Sequence, residues 1–112
     1  MKLGLVVHKP LYERESTGVH YIDCICNDNP VVERLEQNAR RADGKPHYPS
    51  LVDGMLTIKI PWRYGRPMVK TNGIVTIFDL EPGDYITFDA VFIDKWETDW
   101  GCGTSWKMTS IY

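Results

Sequence analysis

Apolar and polar side chains alternate with a period of two over much of the chain, the mark of strands with one face buried. Within residues 55–60, Leu56, Ile58 and Ile60 point one way while Thr57 and Lys59 point the other. Within residues 85–93, Ile86, Phe88, Ala90 and Phe92 make one continuous inner face. Residues 18–26 set Val19, Tyr21 and Ile25 against His20, Ile22, Cys24 and Cys26. Both sides are fairly apolar there, which predicts a central strand. Residues 3–7 predict a short buried strand and residues 106–112 a closing one. Asn72-Gly73 is the strongest short hairpin signal and predicts a return strand over residues 74–80, with Val75 and Ile77 opposite Thr76 and Phe78. Tyr64-Gly65 and Pro82-Gly83-Asp84 predict further turns, and residues 94–105 a glycine-bearing loop.

One stretch has a helical period. Asn29 can cap it, Pro30 suits the first helical position, and Val31, Leu35, Ala39 and Ala42 share a face. Glu36 and Arg40 stand at a favourable i,i+4 spacing on what would be the exposed side. Asp43-Gly44 and Pro46 then end it. A helix this short plugs one end of a barrel or covers one side of a sheet. Five to six strands with one short α-helix predict a mainly-β fold, a β-barrel closed or nearly so, with residues 1–112 as a single domain.

Composition narrows the class. A chain of 112 residues, 43% hydrophobic and 25% charged, is an ordinary globular composition with enough apolar material for its own core. It has no apolar run long enough to span a membrane. The N-terminus begins like a secretory signal, but its apolar stretch is too short for one and suits a first strand better. Three cysteines, odd in number and without framework spacing, suit a reducing compartment. The expected location is therefore the cytoplasm, that of a host cell if the chain is a viral product.

A net charge of −2 argues against a protein that coats nucleic acid through overall charge, but the charge is unevenly spread. Residues 54–72 hold Lys59, Arg63, Arg66 and Lys70 with Trp62 and Tyr64, and no acidic residue. Residues 79–99 hold Asp79, Glu81, Asp84, Asp89, Asp94, Glu97 and Asp99 against Lys95 alone. Such polarisation orients an approaching polyanion. Cations for phosphates beside flat rings for bases are what a single-stranded nucleic acid needs. The first candidate site is thus Lys59, Trp62, Arg63, Tyr64, Arg66 and Lys70, binding single-stranded nucleic acid, DNA favoured, without strong sequence preference.

Segment 80–91, Leu-Glu-Pro-Gly-Asp-Tyr-Ile-Thr-Phe-Asp-Ala-Val, resembles the entry to the fourth strand of many oligonucleotide-binding (OB) barrels. The resemblance covers roughly the last forty residues; immunoglobulin-like and SH3-like modules share a similar rhythm. It implies a single strand laid across the barrel face with loops closing over it. The helix departs from that pattern, falling after the second strand when its usual place is between the third and fourth.

Trp96 and Trp100 form a second candidate site in the 94–105 loop, for a protein partner, because Glu97 and Asp99 would repel phosphate. Its functional class is a protein–protein interaction module or inhibitor, viral or accessory, whose carboxylates imitate phosphates. Trp106 reads as core. An exposed strand edge near residues 3–7 or 106–112 would allow a homodimer. His20, Cys24 and Cys26 suggest a metal, but residues two apart on a strand lie ~6.6 Å apart, too far for thiolates sharing one zinc ion. Buried cysteines acting as small hydrophobes account for them better. No metal and no cofactor are expected. With no phosphate loop, nucleophile elbow or paired catalytic motif, and with His8, His20 and His47 apart in sequence, enzymatic activity is not expected either.

Overall fold

A computed structural model describes residues 1–71 and 76–112. Five long strands build its barrel: β1 (Lys2–Arg14), β2 (Val19–Ile25), β3 (Met55–Ile60), β4 (Tyr85–Glu97) and β5 (Cys102–Ile111). They pair antiparallel in the order β5-β4-β1-β2-β3. β3 then meets β5 in parallel, with Lys59 opposite Lys107, and the sheet closes into a five-stranded barrel. The inward positions of the alternating pattern, among them Ile22, Leu56, Ile58, Phe88, Trp106 and Met108, are fully buried and fill it.

Closure pairs much of the two strands expected to carry open edges. Leu3 pairs with Phe88 and Val7 with Cys24, so β1 has a neighbour on each side. β5 likewise lies between β4 and β3. Residues 2–5 of β1 ladder with β4, and the pairing of β1 with β2 begins at Val6. Three element bounds also differ from expectation. β1 runs on to Arg14 through register shifts after Val7 and Lys9, which let the chain pass Pro10. β4 and β5 extend into the expected 94–105 loop and leave a turn of four residues, 98–101, where the Thr98 amide donates to the Gly101 carbonyl at 2.8 Å. Asp94, Lys95 and Glu97 thus belong to β4 and Gly103 to β5, while Asp99 lies in the turn. Of the expected 74–80 strand, residues 77–79 form a 3-10 turn. The Thr76 hydroxyl donates to Asp79 at 2.8 Å, and the Asp79 amide returns to the Thr76 carbonyl at 3.1 Å. This local bonding competes with a sheet ladder. Asn72-Gly73, Ile74 and Val75 lie outside the described residues.

Helix α1 (Pro30–Gln37) is capped by Asn29, whose side-chain oxygen accepts the Val32 amide at 3.1 Å. It is shorter than expected, and its inner face is turned. Val31 is 50% exposed, whereas Val32 and Glu36 are buried. Arg40 lies beyond the helix and is bonded through two nitrogens to Asp94 at 2.8 and 2.9 Å. Glu36 is buried because the barrel end supplies donors for it. Its carboxylate accepts the Thr104 hydroxyl at 2.7 Å and the Trp106 indole N–H at 3.1 Å. The helix therefore plugs the barrel end at which β5 begins. No helix among the described residues is long and apolar enough to cross a membrane.

The cysteines are free and buried. Burial, with help from Asp23, pushes the Cys24 thiol up from an ordinary 9.0 to about 12. Burial first and Glu33 second also raise the Cys26 thiol. A group whose folded pKa lies above its unfolded value stabilises fully below the unfolded one and loses that contribution as pH rises. We expect stability to fall between about pH 9 and 12, as tracked by chemical unfolding. Thiol reagents at pH 8 should label the native protein far more slowly than the unfolded chain.

Candidate nucleic-acid interface

Pro61 supplies no amide donor, so β3 ends at Ile60 and the chain swings off the barrel wall. A small hairpin follows, Trp62–Arg63 against Arg66–Pro67, tied back by the Met68 amide to the Pro61 carbonyl at 2.8 Å. Its turn is Tyr64-Gly65, as expected, with φ of 54° and 73°. Positive φ at both central residues is the demand of a tight hairpin turn, and asparagine, aspartate or glycine normally meet it. Asp53-Gly54, with φ of 51° and 75°, follows that preference; Tyr64 does not. Its ring is 87% exposed, so nothing within the fold repays the strained backbone.

Trp62 is half-buried. One face of the indole stacks on His20, with ring centroids 3.7 Å apart and planes within 11°. Phe78, 63% exposed, meets it nearly at right angles at 6.1 Å. Beneath the stack, His20 Nδ1 is buried without a partner and Nε2 lies 3.6 Å from Glu13. The indole is thus fixed by its neighbours and still reaches solvent.

The expected cations surround it. A groove of about 610 Å³ lies along the β3–β5 seam, lined by Lys59, Trp62, Arg63, Lys70 and Lys107 over a floor that includes Met108, and it contains no carboxylate. Arg66 sits across the hairpin from Arg63, and Lys59 faces Lys107. Like charges directly opposite one another on a sheet destabilise it. Among the described residues none of Lys59, Arg63, Arg66, Lys70 and Lys107 has an ion-pair partner. Residues 72–75 contain no acidic side chain either. Of the cations elsewhere, Arg40 is paired with Asp94 and both Lys45 and Lys95 with Glu97, at 2.8 and 3.1 Å, while Lys2, Lys9 and Arg14 lie over tyrosine rings. The guanidinium bonds hold the Asp94 carboxyl below its ordinary range, and the two lysines do the same for Glu97.

The structure brings together Lys59, Trp62, Arg63 and Lys70, with Tyr64 and Arg66 on the hairpin beside them. Sequence reasoning missed Lys107, Phe78 and His20. Lys107 alternates with buried Trp106 and Met108, which marks it as outward-facing, but nothing local says which strand lies beside it.

The tryptophans of the second candidate site are divided. Trp96 belongs to β4 and is half-buried, stacked on Tyr48 at 6.2 Å with its indole N–H donating to the Thr104 carbonyl at 2.9 Å. Gly103 lies so close to that ring that an added Cβ would meet it at 2.8 Å. Trp100 is 64% exposed at the 98–101 turn. Gly103, opposite Trp96, precedes Lys107 by four residues of β5, which sets this cluster ~13 Å along the barrel from the groove. Among the described residues no group of three or more histidine, cysteine or acidic side chains could hold a metal ion.

Comparison with protein-family models, with curated proteins and with solved structures gives no match. The site is accordingly defined by its geometry: an unpaired cationic groove around a braced indole, on the wall of a closed five-stranded barrel.

Proposed function

We propose that this protein binds single-stranded nucleic acid, DNA favoured, without strong sequence preference. The observation that carries the proposal is the company of Trp62: Lys59, Arg63, Lys70 and Lys107, none with an ion-pair partner among the described residues, line one groove with it, and that lining holds no carboxylate. Facing pairs of like charge are costly until a polyanion fills the space between them, and the phosphate backbone is that polyanion. Trp62 and Tyr64, with Phe78 beside them, offer ring surface on which any base can stack. The barrel lends support, since oligonucleotide-binding barrels are also five-stranded and use a strand face with flanking loops.

Oligo-dT added at low salt should quench the intrinsic tryptophan fluorescence and raise the anisotropy of a labelled strand. Trp62→Ala should weaken binding roughly 5- to 150-fold, evenly across sequences, given that stacking contributes ~1–3 kcal/mol per base. If the wild-type protein leaves both signals unchanged at low salt, the proposal fails. Trp100, exposed beside Tyr48, keeps a protein-contact reading in view. Imitation of phosphates is less favoured there, because Glu97 is already held by two lysines and Asp99 is left alone.

A further inference from the structure

Strand register lines up four outward side chains in a single row: Tyr12 faces Tyr21, Tyr21 faces Lys59, and Lys59 faces Lys107. With strands about 4.8 Å apart, the row crosses β1, β2, β3 and β5 over ~14 Å. Its first two members are rings 5.9 Å apart. A cation rests on each: Lys9 Nζ lies 4.1 Å from the Tyr12 ring centre, and the Arg14 guanidinium 4.6 Å from that of Tyr21. Neither cation has an ion-pair partner among the described residues. Of the nearby carboxylates, Asp23 is occupied by the Tyr12 hydroxyl, which donates to it at 2.7 Å, and Glu13 lies opposite His20. The wall beside the groove thus repeats the groove's own combination of flat ring and free cation.

We propose that the bound strand leaves the groove at Lys59 and continues across the barrel wall, stacking bases on Tyr21 and then Tyr12. Arg14 and Lys9 exchange the ring faces for the phosphates of that strand. In the free protein these cations shield the rings from water; on binding, each cation gains an anion and each ring gains a base. The exchange needs no movement of the backbone. It rests on the single-strand reading above, and it sets the direction of the path and the length of strand that one protein covers.

The test is affinity as a function of oligo-dT length, from roughly four to roughly twelve nucleotides, the range of site sizes of such barrels. Replacing both tyrosines by alanine should leave the shortest strand bound as by wild type and weaken the longest at least roughly tenfold. Tyr21→Phe, which keeps the ring, should bind both normally, while Trp62→Ala should weaken both. Wild-type affinity of the double variant at every length, with Trp62→Ala still weakened, would overturn the path and leave the groove standing; failure of wild type to bind any length would overturn the groove as well. Should the double variant not fold, photo-crosslinking of wild type to a bromodeoxyuridine strand decides: adducts at Tyr12 or Tyr21 support the path, and adducts confined to the 62–64 and Phe78 region refute it.

Discussion

Alanine at both Lys59 and Lys107 should weaken oligo-dT binding roughly 60-fold at about 50 mM salt, with the deficit vanishing towards 1 M. The magnitude follows from counterion release, where each phosphate neutralised on a single strand contributes ~0.7 to the slope of log affinity against log salt. Four groove cations, Lys59, Arg63, Lys70 and Lys107, give a slope of roughly −2.8, and removing two halves it to roughly −1.4. The variant should meanwhile be no less stable than wild type, because the two ammonium groups face one another without an intervening carboxylate. Relief of such a cross-strand repulsion amounts to ~0.2–1 kcal/mol. Loss of binding with stability kept or raised is a combination that a purely structural pair would not produce. Titrations by anisotropy at several salt concentrations, alongside urea unfolding, measure both halves. A slope that stays unchanged in the variant would remove these lysines from the interface.

What was legible in the sequence was what is local. The alternation at Leu56, Ile58 and Ile60 located β3, and Tyr64-Gly65 located the turn of the hairpin that carries Trp62, because strand pattern and turn chemistry act over a few residues. Lys107 was invisible as a site residue. Its place beside Lys59 comes from a parallel pairing that joins residues forty-eight apart in sequence, and no local preference encodes such a partner. The His20–Trp62 stack was hidden for the same reason. Glycine misled at the β4–β5 turn: residues 94–105, with Gly101 and Gly103, read as a loop, yet Gly103 lies in β5 and Asp94, Lys95 and Glu97 lie in β4, where Arg40 and Lys45 cross over to meet them. Phe78 was assigned to a strand, and the hydrogen bonds between Thr76 and Asp79 make a turn there instead.

The helix shows the same divide between local and distant causes, and it carries the other large expectation. Its apolar residues pointed to a face centred on Val31 and Leu35, but the inward position is Glu36, 8% exposed, chosen by two donors on β5 far along the chain. Glu36→Ala should cost about 2–4 kcal/mol, since it strands the buried Trp106 N–H at ~1–3 kcal/mol and leaves a gap under the helix, while the Thr104 hydroxyl keeps Ser50 Oγ as an acceptor at 3.3 Å. Against a total stability of roughly 6–17 kcal/mol for a domain of this size, that is a large fraction. Glu36→Gln should cost only about 1 kcal/mol: it keeps the shape and one carbonyl acceptor, and it removes a charge that no cation neutralises in the described structure. Thr104 stays anchored in either variant, because its hydroxyl also accepts the Ser50 amide at 2.8 Å. Urea unfolding of the two variants measures the difference. Equal losses would mean that the negative charge itself, and not its two acceptor positions, holds the plug in the barrel.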